Sequence, residues 1–152
     1  MTRSASQVER LAQFVTSADG GAMSPGAREQ LLIRVLDTIG VAIAAQDAEP
    51  MRAIRDLTER LGGNGSATLI GGGTSAPDRA AFYNTSLSRY LDFMDSYLAP
   101  GETCHPSDNL GAVLAAAESV GASGREFLTA LAVAYQLQTR LSDVAPVRAK
   151  GF

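Results

Sequence analysis

Residues 25–46 read PGAREQLLIRVLDTIGVAIAAQ, and their apolar side chains recur with helical spacing. Ser24 followed by Pro25 is the usual combination of a helix N-cap and a first helical residue. The run therefore predicts a long helix with a wide apolar stripe that faces a core. Within it, Arg34 precedes Asp37 by one helical turn, so an ion pair is expected. The residues expected to be buried are Leu32, Val35, Leu36, Ile39 and Ile43.

Helical patterns also dominate the sequence on both sides of this run. Ser6 with Glu9, and Ser123 with Glu126, have the capping-box spacing that marks the start of a helix. These two pairs predict the first and the last helix of the chain. Further helices are predicted at residues 51–61, at 76–91 and from about 107 onward.

Strand signals are scarce by comparison. The sequence SATLI at residues 66–70 lies between glycine-rich segments and is the one predicted strand. Residues 99–106 contain Pro100, Gly101 and Pro106 and are predicted to form a loop. The sequence therefore predicts a mainly α fold with about six helices and one short strand.

Composition narrows the possible function classes. Apolar residues make up 45% of the 152-residue chain, which is enough to form a packed core. A formal net charge of −3 provides no basic surface for nucleic acid, and Lys150 is the only lysine. Cys104 is the single cysteine, so a disulfide framework is excluded. Without a recognisable signal peptide or membrane-spanning run, we expect a soluble cytoplasmic protein with no nucleic-acid or membrane partner.

The sole histidine, His105, stands just before a predicted helix start near Ser107. Backbone N–H groups at a helix start favour anions, so a histidine there can exchange a proton with an anionic substrate. The alternative interpretation is a loop histidine that is merely exposed or packed. One histidine and one cysteine do not make a metal site, and no nucleotide-binding motif is present, so we expect no metal and no cofactor.

Two carboxylates, Asp92 and Asp95, precede this histidine in the same segment. If the preceding helix continues through them, they share one face, with the hydroxyl of Ser96 beside them. Such a cluster is typical of acid–base chemistry on a carboxylate substrate. The alternative interpretation is a helix end with solvent-exposed carboxylates.

Several of these motifs together resemble the signature of the MmgE/PrpD family. They are LDFMDSY at residues 91–97 and HPSDNL at 105–110, supported by LDTIGVA at 36–42, Asn84, and APVRAKGF at 145–152. The resemblance extends over nearly the whole chain. It rests on the combination of motifs rather than on any one of them.

The resemblance implies a lyase that acts on a small polycarboxylate without a metal, most directly the dehydration of 2-methylcitrate in propionate catabolism. Decarboxylases of cis-aconitate and epimerases in the same family remain open. Asp92, Ser96 and His105 correspond to substrate-pocket residues of the family, with Asp95 beside them. His105 would act as acid or base, Asp92 or Asp95 would tune its tautomer and pKa, and the helix start at Ser107 would hold a substrate carboxylate.

The resemblance also implies an architecture, namely a large all-helical domain, a smaller lid domain and a homodimer. Residues 1–152 would form the N-terminal portion of the helical domain without the lid, incomplete as a catalyst unless a second chain supplies the rest. An interpretation from a different class is a non-catalytic helical dimerisation module. The basic residues that could neutralise substrate carboxylates are Arg79, Arg89, Arg125, Arg140, Arg148 and Lys150.

Overall fold

The computed structural model describes residues 4–63 and 65–151, and it confirms the mainly α fold. Phe152, the last residue of the C-terminal motif, lies outside the described residues. The α-helices are α1 (Gln7–Thr16), α2 (Pro25–Ala45), α3 (Glu49–Leu61), α4 (Pro77–Tyr90), α5 (Leu110–Ser119) and α6 (Gly124–Val144). Short 3-10 turns occupy Gly20–Ala22, Pro106–Asn109 and Val147–Lys150.

Three of the helices, α1, α2 and α6, begin where the predicted caps lie. Ser6 accepts a hydrogen bond from the N–H of Glu9, whose carboxylate accepts in return from the N–H of Ser6. Ser123 and Glu126 form the same reciprocal pair at the start of α6. Ser24 caps α2 with its hydroxyl. These side chains bind N–H groups that the first turn of a helix leaves without carbonyl partners, so local sequence determines these boundaries.

Two small antiparallel hairpins connect the helices. The first, here named the core hairpin, pairs β1 with β2, and the second, here named the site hairpin, pairs β3 with β4. The four strands are β1 (Ala67–Thr68), β2 (Thr74–Ser75), β3 (Tyr97–Ala99) and β4 (Glu102–Cys104).

The site hairpin corrects the sequence prediction, which assigned residues 99–106 to a loop. Strands of three residues are too short to show a two-residue alternation of apolar and polar side chains. Their formation depends instead on backbone pairing across the turn, with Ala99 opposite Glu102 and Tyr97 opposite Cys104. The predicted strand at 66–70 is present in shorter form, as β1.

The main core lies where α2, α3, α4 and α5 meet the core hairpin. Small side chains permit this close packing, since Ala42, Ala45 and Ala80 are fully buried. Gly111 marks the tightest approach, because a Cβ atom there would lie 2.9 Å from the backbone nitrogen of Thr85 on α4. Helices α4 and α5 therefore cross at a distance that only glycine allows at this position.

A second, smaller core joins α2 to the C-terminal half of the described chain. Leu31 of α2, Leu110 of α5 and Leu131 of α6 are all buried there. This cluster positions α6 beside the start of α5, where the histidine-containing segment is located.

Helix α2 buries a different face from the one predicted. Leu36 is 74% exposed and Ile43 is 55% exposed, whereas the buried residues of the helix are Leu31, Thr38, Ala42 and Ala45. The small face packs against α4 because it lets the two backbones approach, and that geometry leaves much of the large apolar stripe in solvent. The prediction that the whole stripe is buried is wrong for the described structure.

Candidate active site

The site hairpin brings together residues that sequence spacing keeps apart. Tyr97 pairs with Cys104, so the residues just outside this pair, Ser96 and His105, face each other at the base of the hairpin. The hydroxyl oxygen of Ser96 lies 3.3 Å from Nδ1 of His105. Two of the predicted site residues therefore meet because of strand register.

A backbone contact determines which nitrogen of the neutral His105 ring carries the hydrogen. Its Nδ1 lies 2.7 Å from the carbonyl oxygen of Asp95, and a carbonyl can only accept a hydrogen bond. Nδ1 must therefore carry the hydrogen in the neutral ring, which leaves Nε2 unprotonated. Within the part of the chain that the structure describes, Nε2 has no hydrogen-bond partner. A half-buried imidazole with a free Nε2 can accept a proton from a substrate.

The carboxylate of Asp95 is held from two sides. Oδ1 accepts a hydrogen bond of 3.1 Å from the backbone N–H of Ser107, and Oδ2 accepts one of 2.9 Å from the hydroxyl of Tyr135 on α6. Burial, followed by the negative charge of Asp95, raises the pKa of Tyr135 well above its ordinary value. Tyr135 therefore remains a neutral hydrogen-bond donor, and Asp95 links the hairpin base to α6.

Asp92 is placed differently from the prediction. Helix α4 ends at Tyr90, and Asp92 adopts a left-handed backbone conformation with φ 58°. Asp92 and Asp95 do not share a helical face, because the chain leaves the helix before both of them. For Asp92 the structure agrees with the alternative interpretation, an exposed carboxylate beyond a helix end. The Asp92 side chain is exposed beside the site, whereas Asp95 is half-buried within it.

The predicted helix start at Ser107 is a 3-10 turn, and α5 itself begins at Leu110. Ser107 is 2% exposed, and its hydroxyl oxygen has no hydrogen-bond partner among the described residues. Asp108 beside it also has a buried carboxylate oxygen, Oδ1, without a partner in that part of the chain. Two unsatisfied polar atoms next to His105 are unusual in a folded protein and are typical of a ligand or water site.

Charge around this turn is mixed. Burial raises the pKa of Asp108, while the positive charges of Arg89 and of His105 lower it by less, and Asp95 adds to the increase. In the sequence, Asp108 stands out only as part of the HPSDNL motif. Its burial was not predicted, because burial by other elements cannot be read from local sequence.

Basic residues near the site come from two helices. Arg89 of α4 acts on Asp108, and Arg34 of α2 acts on Tyr135, in both cases through charge. Arg34 was expected to pair with Asp37, but Asp37 is exposed and no ion pair joins these two described residues. Three of the other basic candidates pair elsewhere: Arg79 with Asp78, Arg140 with Asp143, and Arg148 with Glu102.

A family model described as the MmgE/PrpD N-terminal domain matches residues 9–152. The chain belongs to the MmgE/PrpD family. The site just described contains the segment that carried the resemblance, with His105, Ser96 and Asp95 in contact and Asp92 at its edge.

Named relatives point to one activity within the MmgE/PrpD family. A 2-methylcitrate dehydratase of Cupriavidus necator is 34% identical over 111 residues, which is 65% of this chain and 22% of the relative. A 2-methylcitrate dehydratase of Escherichia coli K12 is 32% identical over 122 residues, covering 68% of this chain and 24% of the relative. A probable 2-methylcitrate dehydratase of Saccharomyces cerevisiae is 32% identical over 110 residues. The matched segment thus spans less than a quarter of the length of the first two relatives.

The described residues hold neither a cluster of metal ligands nor a membrane-spanning helix. In residues 4–63 and 65–151, no three His, Cys, Asp or Glu side chains come together as metal ligands. Among the helices in the same ranges, none has both the length and the apolar character needed to cross a membrane.

Proposed function

We propose that this chain provides the histidine-containing part of a lyase that removes water from a small polycarboxylate. The single observation that carries the proposal is the His105 ring, whose Nδ1–H is bound to the Asp95 carbonyl while Nε2 remains free. The names of the relatives supply the first substrate to test, 2-methylcitrate. The proposal includes the cytoplasmic location, the homodimer and the role in propionate catabolism expected from the sequence.

Dehydration of such a substrate requires one base and one acid. A proton leaves the carbon next to a carboxylate, its electron pair forms a carbon–carbon double bond, and hydroxide leaves the neighbouring carbon. Nε2 of His105 is proposed to accept the carbon-bound proton, and the resulting imidazolium can supply the proton that converts hydroxide to water. Asp95 holds the ring in the tautomer that this step needs.

Substrate contacts are proposed for the groups around the ring. His105 Nδ1–H can share its hydrogen with Ser96 Oγ, which leaves the hydroxyl hydrogen of Ser96 available for a substrate oxygen. The unsatisfied hydroxyl of Ser107 is a second candidate donor. Arg89 supplies positive charge for a carboxylate, and the exposed Asp92 can accept a hydrogen bond from a substrate hydroxyl.

The direct test is turnover of 2-methylcitrate by the full-length protein that carries these residues, followed by ultraviolet absorbance of the alkene product. Replacing the base, His105→Ala, should lower kcat by at least about 100-fold, the usual contribution of general acid–base catalysis. The matched control is Asp56→Asn, an exposed carboxylate on α3, which should leave kcat unchanged. Near-normal turnover by His105→Ala would contradict the proposed role.

Two further measurements on the same protein distinguish the other reactions of the family. Release of carbon dioxide from cis-aconitate would assign a decarboxylase instead. Exchange of a carbon-bound hydrogen with solvent, without formation of an alkene, would assign an epimerase.

A second candidate function is a non-catalytic helical assembly module. The observation that favours it is the apolar surface on α1 and α2, where Val8 is 75% and Leu36 is 74% exposed. A stable dimer by analytical ultracentrifugation that binds neither citrate nor 2-methylcitrate would support the module. Binding of either ligand at His105 would support the lyase.

A further inference from the structure

Tyr135 reaches the base of the site hairpin from a distant part of the sequence. It lies on α6, 40 positions after Asp95, and its hydroxyl donates to Oδ2 of that carboxylate at 2.9 Å. The carbonyl oxygen of the same Asp95 accepts from His105 at 2.7 Å. One aspartate therefore receives the tyrosine through its side chain and the histidine through its backbone.

The Asp95 carboxylate has one other hydrogen bond among the described residues if the Tyr135 hydroxyl is lost. Its other carboxylate oxygen, Oδ1, is held by the N–H of Ser107, so removal of the Tyr135 hydroxyl leaves one bond where there were two. A carboxylate held at one oxygen can rotate about that contact, and the backbone that carries it can follow. The distance between the Asp95 carbonyl oxygen and Nδ1 of His105 then changes with it.

From this geometry we infer that Tyr135 is a positioning residue that selects the Nδ1–H tautomer of His105 by holding Asp95. It does not touch the reacting atoms. The role deepens the proposed lyase function, on which it rests only in assigning proton transfer to Nε2 of His105. The tautomer itself can be measured whether or not the protein turns over a substrate.

The chain is well suited to that measurement because His105 is its only histidine. With nitrogen-15 labelling, the shifts and proton couplings of the two ring nitrogens report directly which one carries hydrogen at a pH where the ring is neutral. The wild-type chain should show protonated Nδ1 and unprotonated Nε2. Tyr135→Phe should shift the population toward the Nε2–H form that free histidine favours, with at least a several-fold change in the ratio of tautomers.

A matched control is present on the same hairpin. The hydroxyl of Tyr97 donates to the Asp143 carboxylate at 2.8 Å, so Tyr97→Phe removes a bond of the same kind and length without affecting Asp95. This variant should keep the wild-type tautomer ratio. A change of equal size in both variants would overturn the inference, because it would indicate general loosening of the hairpin.

Two further results make the test decisive. Circular dichroism of Tyr135→Phe must match the wild type, and Asp95→Ala, which removes both carboxylate contacts but keeps the backbone carbonyl, provides a second route to the same loss. Wild-type tautomer ratios in both of these variants, when folded, would overturn the inference. If the wild-type protein fails to dehydrate 2-methylcitrate but the tautomer responds as expected, the positioning role holds and the proposed function fails.

Discussion

The two hairpins of this chain are similar in size but are held in place in different ways. The core hairpin lies against α4 and α5, and its backbone is held by Asn84, which is 1% exposed. The site hairpin is anchored near the surface, by Tyr97 to Asp143 and by Glu102 to Arg148. A buried amide gives a rigid attachment, whereas partly buried charged groups give one that responds to pH and salt. The hairpin with the candidate chemistry is the one without a buried amide.

The largest expected effect is on the core hairpin, through Asn84→Ala. The Asn84 amide accepts from the N–H of Ile70 at 2.9 Å and donates to the carbonyl of Thr68 at 2.8 Å, so truncation leaves two backbone groups unsatisfied. We expect the free energy of unfolding to fall by about 3 kcal/mol, measured by urea denaturation. Ser86→Ala on the same helix should change it by no more than about 0.5 kcal/mol. Equal effects from the two variants would contradict the role of Asn84.

A smaller effect on the same hairpin is expected from Glu118→Gln. The Glu118 carboxylate accepts from both the N–H and the hydroxyl of Thr68, and a carboxamide keeps one acceptor but loses the charge. The unfolding free energy should fall by about 1 kcal/mol. Faster hydrogen exchange at Thr68 would locate the loss, and unchanged exchange there would argue against the contact.

Asp108, in the turn beside the site hairpin, should make the protein less stable as the pH rises, which is the opposite of the usual effect of a paired carboxylate. Burial raises the pKa of Asp108 from an ordinary value of 3.8, so the folded state disfavours the charged form. The neutral Asp108 carboxyl therefore contributes its full stabilisation below pH 3.8, and this stabilisation is lost as the pH rises through the raised pKa of the folded state. Asp108→Asn should therefore be more stable than the wild type at neutral pH, by less than about 1 kcal/mol because solvent screens the group.

The difference in unfolding free energy between Asp108→Asn and the wild type should disappear at low pH, where the wild-type carboxyl is neutral too. Urea unfolding curves at several pH values measure this difference. The groups that face this carboxyl, namely Arg89, His105 and Asp95, are the same in both proteins, so the comparison isolates Asp108. A variant less stable than the wild type at neutral pH would contradict the prediction.

The smallest and most local effect is expected from Glu102→Gln in the site hairpin. The N–H of Thr103 and the N–H of Arg148 hold the pKa of Glu102 below its ordinary value of 4.5. The stabilisation from Glu102 is therefore present above 4.5 and is lost as pH falls through the lowered folded value. Amide exchange in β3 and β4, corrected for the intrinsic pH dependence, should show this loss in the wild type only.

The control for the Glu102 measurement is Glu49→Gln, an exposed carboxylate on α3, which should behave as the wild type does. Persistence of the wild-type pH dependence in Glu102→Gln would show that another group anchors the hairpin. The core hairpin should show no change in either variant.

The two hairpins also show what sequence can and cannot predict. Ser6, Ser24 and Ser123 gave correct helix starts because a cap acts within four residues of itself. The site hairpin was missed because its strands are short and because its pairing depends on the turn between them. The mistaken choice of the buried face of α2 has a related cause, since the partner helix determines which face is covered.

The same distinction applies within the site. His105, Ser96 and Asp95 were found because they lie in one short segment with a recognisable motif. Tyr135 was missed because its contact with Asp95 spans 40 positions, and no local pattern marks it. A long-range contact of this kind requires the fold to be known first.

The register of the site hairpin has a consequence for how the sequence can vary in length. Ser96 faces His105 because both lie just outside the Tyr97–Cys104 pair, while the turn at Pro100 and Gly101 lies at the far end. Adding or removing one residue in each strand moves the turn of the hairpin but leaves Ser96 opposite His105. Insertions that lengthen both strands equally are therefore compatible with the chemistry, whereas an unequal insertion must be absorbed by a bulge or by a longer turn.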